Sequence, residues 1–478
     1  MVASPPSSEA PQSFEQRLDQ SPLTRPMWLL WLLSAGLIAL DGFDFFIIGV
    51  ALPFLERDFD LGAGAIATLA VAALAGSLIG SLTLGPLTDR IGRQRMLVAD
   101  VALFVVATAG TVLAWNAASL ICFRFLVGVA IGADYPISVA YITENVPSRL
   151  RGRMVVGAFT FQAVGALLGA ITGITVIHLF RTLYPGMETP LVQYGWRWML
   201  GVGLALAIAV SLLRFSFLLE SPRYYMTRGE YNEASKAASI LLEEPLTLTP
   251  ETDPPAREPK LPYSQLFSAR YRRNLIFASV PWFLQDIATY GIGIFTPTII
   301  GTLAFASADS FTDKAMASAT GSAFVDVFLI VGFLVAVLLI DRVGRIWLQI
   351  VGFGGMTLGL LILAASGSSL AGESSLIWVF AGFLVFNLTM NAGPNATTFL
   401  LSGEVFPTAI RASGAGFAAA FAKAGAVLGT FALPLLQHSL GVPMLLGLLS
   451  LVCLLAAGIT YLFRIETRGQ SLETIDHE

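Results

Sequence analysis

Trp282, Asp286 and Tyr290 stand four residues apart in PWFLQDIATYGIG (281–293), a stretch apolar enough to cross a bilayer. That spacing puts an indole, a carboxyl group and a phenol on one helix face. Ionisable groups at membrane depth cost about 3 kcal/mol each on insertion scales, and they are kept mostly where they line a pathway, pair with another charge or carry protons. The triplet reads as a substrate-facing surface. The plainer alternative is a buried Asp hydrogen-bonded to a neighbouring helix beside two core aromatics. Other apolar stretches carry polar groups too. Asp41 and Asp44 in LDGFDFF (40–46) lie three apart on one helix face, with Gly42 between them loosening the packing. Two carboxylates that close do not both ionise readily, which suits one of them to carry a proton. Asp100 and Asp134 add two more acids; Asp134 stands in GADYP, where Gly132 and Pro136 distort a helix and free backbone groups to face a cavity. Tyr135 is its neighbour. Gln162 and Asn395, the latter in NAGPNATTF (391–399), are uncharged hydrogen-bonders near breaks or small residues, and Lys423 in AFAKAGAVLG is the lone lysine deep in an apolar stretch.

Each of these has a structural reading as well. A membrane Asn or Gln commonly holds helices together, at about 0.6 kcal/mol on average. Gly165, Gly169 and Gly173 read as close-packing small residues, Asp100 as a partner of Arg93 or another loop Arg, and Arg124 as the structural partner of an acidic group. Five buried acids and a lysine in one chain are nevertheless better explained by a coupled proton and anion pathway than by packing.

The elements that must position these groups are membrane helices. The chain has 478 residues, of which 55% are hydrophobic and 13% charged, and its mean hydropathy is +0.73. This composition is far from that of soluble domains and suits a polytopic all-α membrane protein. Apolar stretches of spanning length recur at 27–50, 64–86, 97–115, 117–143, 154–180, 196–219, 275–303, 317–340, 346–370, 374–402, 412–437 and 440–463. These twelve spans divide into a six-helix bundle over 27–219 and a second over 275–463, joined by a polar linker over 220–274 with short amphipathic helices. The linker's EEPLTLTPETDPPAREPK (243–260) is too polar to be buried. Lys and Arg cluster in the loops after the even-numbered spans, whereas opposite loops carry only scattered basic residues such as Arg57, Arg181 and Lys314. By the positive-inside rule both termini face the cytoplasm. Residues 1–26, rich in Ser, Pro and acid, read as a disordered cytoplasmic tail and not a signal peptide, and 464–478 as a second tail. Cys122 and Cys453 both fall inside spans, so no disulfide framework is expected, and the three histidines do not cluster as metal ligands.

GPLTDRIGRQR (85–95) follows the second span and DRVGR (341–345) the eighth, the same place in each half. In this internal repeat Gly85 permits close helix approach, Asp89 can cap a helix or accept from Arg, and Arg93 and Arg95 can latch onto carboxylates at helix ends; Asp341 and Arg345 are the counterparts. Gating on the cytoplasmic side is the reading.

These loops, with RFLVGVAIGADYP (124–136), ESPR (220–223), EVFPTAIR (404–411) and ETRGQSLE (466–473), resemble the major facilitator superfamily and its sugar-porter-like branch over about 27–475. The resemblance implies two six-helix bundles around a central cavity, with alternating access by rocking. The chain has no Gly-x-x-x-x-Gly-Lys-Ser/Thr phosphate loop, so the driving force is a gradient; neither an enzyme activity nor a cofactor is expected.

GADYPIS (132–138), AFTFQAVG (158–165), WFLQDIATYG (282–291), AGPNATTFLLSGEVFPT (392–408) and AAAFAKAGAVLG (418–429) further resemble the phosphate:proton symporter family. The resemblance implies a phosphate site of Tyr135, Gln162, Trp282, Asp286, Tyr290 and Asn395, a proton route through Asp41, Asp44, Asp100 and Asp134, and Lys423 as countercharge. The chain departs from that family in having LDGFD where a Thr-Asp-Ala-Tyr-Asp pattern is usual, a stretch that instead resembles aromatic-acid:proton symporters. The expected function is proton-coupled import of inorganic phosphate by a monomer in the bacterial inner membrane, with an organic or aromatic acid or a sugar as alternative substrates. No nucleic-acid partner is expected. A non-transporting nutrient sensor and a channel fit less well, because no large signalling tail is present and paired halves suit alternating access.

Overall fold

The computed structural model describes residues 13–91, 93–217, 220–253, 263–305, 310–366, 375–406 and 410–465, and these are helices and short connections without a strand. A short helix α1 (Phe14–Gln20) precedes six long ones: α2 (Arg25–Phe59), α3 (Ala63–Ile91), α4 (Arg93–Val112), α5 (Ala117–Asn145), α6 (Arg151–Leu183) and α7 (Trp196–Ser216). The linker contributes α8 (Pro222–Thr227) and α9 (Tyr231–Leu242). The second six are α10 (Arg272–Leu303), α11 (Phe311–Val343), α12 (Arg345–Ser366), the broken pair α13 (Ser375–Ala392) and α14 (Pro394–Glu404), α15 (Arg411–Leu440) and α16 (Val442–Phe463). Ends are set by local chemistry. Thr24 caps α2 by accepting from the Met27 amide, Pro26 sits in its first turn, and Asp60 closes it in the left-handed conformation.

The two bundles repeat one packing plan. In the first, α2 packs on α6, α3 on α5 and α4 on α7; in the second, the counterparts α10 and α15, α11 and α13, and α12 and α16 pair in the same way. Between bundles α6 meets α11 and α3 meets α15, a relation that maps onto itself when the halves are exchanged. This is the pseudo-two-fold arrangement of twelve spans in two six-helix bundles.

Close backbone approach makes the pairs tight. A methyl group at Gly42 would collide with the Gln162 carbonyl and one at Gly165 with the Ala39 carbonyl, while in the other half Gly425 and Gly429 lie against the carbonyls of Phe283 and Ile287. Gly42 therefore does not loosen α2; it admits α6, and so brings Gln162 beside the Asp41 and Asp44 segment. The close-packing reading of Gly165 agrees with this contact.

Two sequence expectations change. Residues 14–26 are not a disordered tail: Ser13 and Gln16 form a reciprocal capping box on α1, Phe14 and Leu18 are buried against the linker helix α9, and the Phe14 amide donates to Asp253. Two apolar residues four apart gave the segment a face to bury; residues 1–12 lie outside the described ones. The distortion expected around Gly132 and Pro136 does not interrupt the helix: α5 runs from Ala117 to Asn145, and Gly132 lies against the Ser77 carbonyl of α3. The break falls instead in the tenth span, at Gly393, where Pro394 starts a new helix without an amide to give to the old one.

Candidate functional site

The break at Gly393 places Asn395 in the first turn of α14, facing α10. Gln285, fully buried, donates to the Asn395 side-chain oxygen at 3.2 Å and to Thr289 at 2.9 Å, and accepts from Thr398 at 3.3 Å. Asn395 in turn donates to Asn391 at 2.7 Å. This amide chain fixes Asn395 in one orientation. The contact of Gly425 and Gly429 with α10 brings Lys423 up to the same helix, where its ammonium donates to the Tyr290 hydroxyl at 2.8 Å. Gln162, reaching from the other bundle, donates to the same hydroxyl at 3.4 Å.

Gln162, Trp282, Asp286, Tyr290, Asn395 and Lys423 thus line one central cavity, together with Phe159, Phe333 and Phe399. Its free volume is about 20 Å³, room for a water molecule. Asp286 has neither an ion pair nor a hydrogen bond among the described residues. The cavity is closed toward the linker face by rings from both bundles, with Phe159 and Phe399 centroids 4.5 Å apart and Trp282 edge-on to Phe399 at 6.0 Å. On the other side Phe45 stands edge-on to Tyr290 at 5.8 Å, and the Ile294 carbonyl lies against Gly49.

The expected proton-route acids are divided among environments. Asp41 and Asp44 do not form a carboxylate pair. Both oxygens of Asp44 accept from Arg124 at 2.7 Å, and its backbone carbonyl accepts a further bond from the same guanidinium. Arg124 is only 1% exposed, and its role as partner of an acid agrees with the geometry. Asp41 turns instead to a separate small cavity that it lines with Asp100 and Ser211. Of the gating residues, Arg345 pairs with Glu404 at 3.3 Å inside the second bundle. The side chains of Asp134, Tyr135, Gly85, Asp89, Arg93 and Asp341 lie outside the described residues.

Comparison with known proteins identifies the scaffold. The family described as sugar (and other) transporter matches residues 32–478. The chain belongs to this family, within the major facilitator superfamily. It is 31% identical over 447 residues to the "Putative metabolite transport protein YaaU" of Escherichia coli (strain K12), covering 93% of each chain. It is 30% identical over 485 residues to inorganic phosphate transporter 1-1 of Oryza sativa subsp. japonica, covering 92% of this chain and 91% of that one. The fold matches the xylose transporter XylE from E. coli in a partially occluded inward open conformation, with a TM-score of 0.74, 20% identity, and coverage of 94% of this chain and all of the other.

The structure also joins residues that sequence reading passed over. Gln285, one position before Asp286, orients Asn395; an amide beside a buried acid was the available signal. Arg57, Arg181 and Glu188 of the first half, far from scattered, meet Phe311, Thr312 and Asp313 of the second at the face opposite the linker. Arg181 pairs with Asp313 at 2.9 Å, Glu188 pairs with Arg57 at 3.4 Å and accepts from the Thr312 hydroxyl at 3.2 Å, and the Arg57 guanidinium lies 3.6 Å from the Phe311 ring centre. Beside this latch is a vestibule of about 670 Å³, lined in part by Arg57, Lys314, Ser318 and His438.

Proposed function

We propose that the chain is a proton-coupled symporter that imports a small anion by alternating access, with inorganic phosphate the first choice of substrate. One observation carries this reading: Lys423, Tyr290, Gln162, Trp282, Asn395 and Asp286 converge on one cavity between the bundles. An ammonium and several hydrogen-bond donors suit a small multivalent oxyanion, and a carboxyl group in the same cavity makes its affinity depend on protonation. Protonated Asp286 donates to a phosphate oxygen. Ionised Asp286 repels the anion and releases it. Protonating Asp44 would remove the charge that pairs with Arg124, leaving the buried guanidinium with neutral acceptors such as the Asp44 carbonyl and favouring a rearrangement of α2 against α5. Each net positive charge carried inward gains about 2.3 kcal/mol per 100 mV, enough for roughly 50-fold accumulation. The positive-inside rule places the linker face in the cytoplasm, and the protein works as a monomer in the cell membrane.

A second reading draws on the cavity's rings: Trp282, Phe159, Phe333 and Phe399 would also suit an aromatic or other organic acid, in line with Asp41-Gly42-Phe43-Asp44. The test is uptake of radiolabelled phosphate by proteoliposomes under an imposed inward proton gradient, with benzoate and hexoses as competitors. Phosphate accumulation abolished by a protonophore supports the first reading. Uptake of benzoate with phosphate excluded supports the second, and uptake insensitive to a protonophore removes proton coupling from both.

A further inference from the structure

The middle of α11 holds a carboxyl group that the mechanism above does not use. Asp326 is 7% exposed, within a long apolar span, and its side chain has neither an ion pair nor a hydrogen bond among the described residues. A charge there costs several kcal/mol, so without a partner the group is held neutral, and its cost is justified only if it functions. Its surroundings say where it stands. Gly301 of α10 lies against Ser318 and Gly321 of α11 against Ile300, so the two helices run antiparallel and Asp326 is level with about Ile294. Leu329 and Phe333, one and two turns further along the same face, line the central cavities. Ser318, two turns back, and Lys314, three turns back, line the far-face vestibule. The Ser322 hydroxyl, one turn away, is also buried without a hydrogen-bond partner among the described residues.

We propose that Asp326 is a proton-carrying group of the second bundle, standing in the wall between the vestibule and the central cavity. When the far face opens, a proton passes from vestibule water onto a carboxylate oxygen. The neutral acid holds it while the bundles close, and once the linker face opens the proton leaves the carboxyl for water in the central cavity, restoring the carboxylate. This rests on the proton-symport reading of the central site. A metal cation is a poorer occupant, because no group of three acidic, His or Cys residues lies near enough among the described ones and a hard cation needs several oxygens. The helices packed on α11 bring few titratable groups to this depth. The register set by Arg181 with Asp313 puts Asp326 level with about Leu168 of α6, where no titratable residue stands. α13 presents Asn387, whose amide donates to the Val325 carbonyl at 3.3 Å. α10 presents Tyr290 and, a turn deeper, Asp286; α2 presents Asp44, held by Arg124; α12 and α14 offer only Arg345 and Glu404 near the linker face. On α11 itself Asp313 and Lys314 lie three turns away, and Asp341 and Arg342 at the opposite end.

Two measurements on the full chain in lipid nanodiscs and proteoliposomes test this. Infrared difference spectra of wild type against Asp326→Asn, from about pH 5 to about pH 8, should contain a protonated-carboxyl band that the substitution removes and Asp326→Glu shifts. In vesicles, Asp326→Asn should lose phosphate accumulation driven by the proton gradient yet keep phosphate counterflow, and Asp326→Glu should restore accumulation. A spectrum without that band, or Asp326→Asn accumulating like wild type, overturns the proposal. If wild type moves no phosphate, the substrate reading fails and the infrared result alone decides this one. If Asp326→Asn does not fold, the band shift in Asp326→Glu decides it.

Discussion

The two bundles treat their buried carboxyls differently. In the first, Asp44 is held by both oxygens against Arg124 within its own bundle. In the second, Asp286 shares the central cavity with Lys423, whose ammonium donates to Tyr290. A pair closed on itself organises its own helices, because separating it strands a charge away from water. A carboxyl and an ammonium that meet across a cavity leave room for a third partner. In the proposed symport cycle the closed pair of the first bundle is the protonation latch, and the cavity centred on the second bundle is the place for the ligand.

The largest expected effect breaks the closed pair. Arg124→Ala leaves Asp44 buried without its partner and should destabilise the fold by about 3–5 kcal/mol, read as a lowered thermal midpoint in detergent. Replacing Asp44 by Asn in the same chain should recover part of the loss. An unchanged midpoint in the single variant would show that the pair does not organise the bundle. The open arrangement is probed by Lys423→Ala. Loss of a charged hydrogen bond should weaken anion binding by about 1.5–3 kcal/mol, roughly 10- to 150-fold, with the fold intact. Equal weakening of a neutral hexose would argue that Lys423 only supports Tyr290. The smallest effect concerns the far-face latch. Arg181 and Asp313 are 47% and 45% exposed, and such pairs are worth under about 1 kcal/mol. Arg181→Ala should raise the rate at which an impermeant thiol reagent labels Ser318→Cys, in a Cys122→Ser background, by less than about fivefold, with the difference fading in high salt. No change at low salt would remove this pair from gating.

Much of this arrangement is readable in the chain, and the unread parts share a cause. Spanning length and the six-and-six division follow from runs of apolar residues, which report burial in lipid directly. Local spacing placed Trp282, Asp286 and Tyr290 on one face because a single helix fixes it. Contacts between helices are different. That Asp41 turns to Asp100 while Asp44 turns to Arg124 depends on how α2 is rotated among α4, α5 and α7, which a spacing of three does not report. Gly42 illustrates the same limit, since a missing side chain reads alike as slack or as room for a neighbour, and only the Gln162 carbonyl against it decides. The latch at Phe311, Thr312 and Asp313 joins residues more than a hundred positions apart, at helix ends and in one short connection, where no periodicity marks the partners. Asp326 was legible as an acid in a span, but it lies outside the repeated and matched motifs.

The central claim is that Asp286 makes anion binding depend on protonation. Phosphate affinity against pH, compared between wild type and Asp286→Asn, tests it most directly, with arsenate and a hexose alongside. Wild type should bind phosphate more weakly as Asp286 ionises with rising pH. The Asn variant, which keeps size and a donor but cannot ionise, should bind phosphate with that pH dependence gone while proton-driven accumulation fails. If neither phosphate nor arsenate binds wild type at any pH from about 5 to about 8, or if Asp286→Asn weakens a hexose by about 1.5–3 kcal/mol at every pH, the anion assignment is contradicted and Asp286 is an acceptor for a neutral ligand or serves an organic acid.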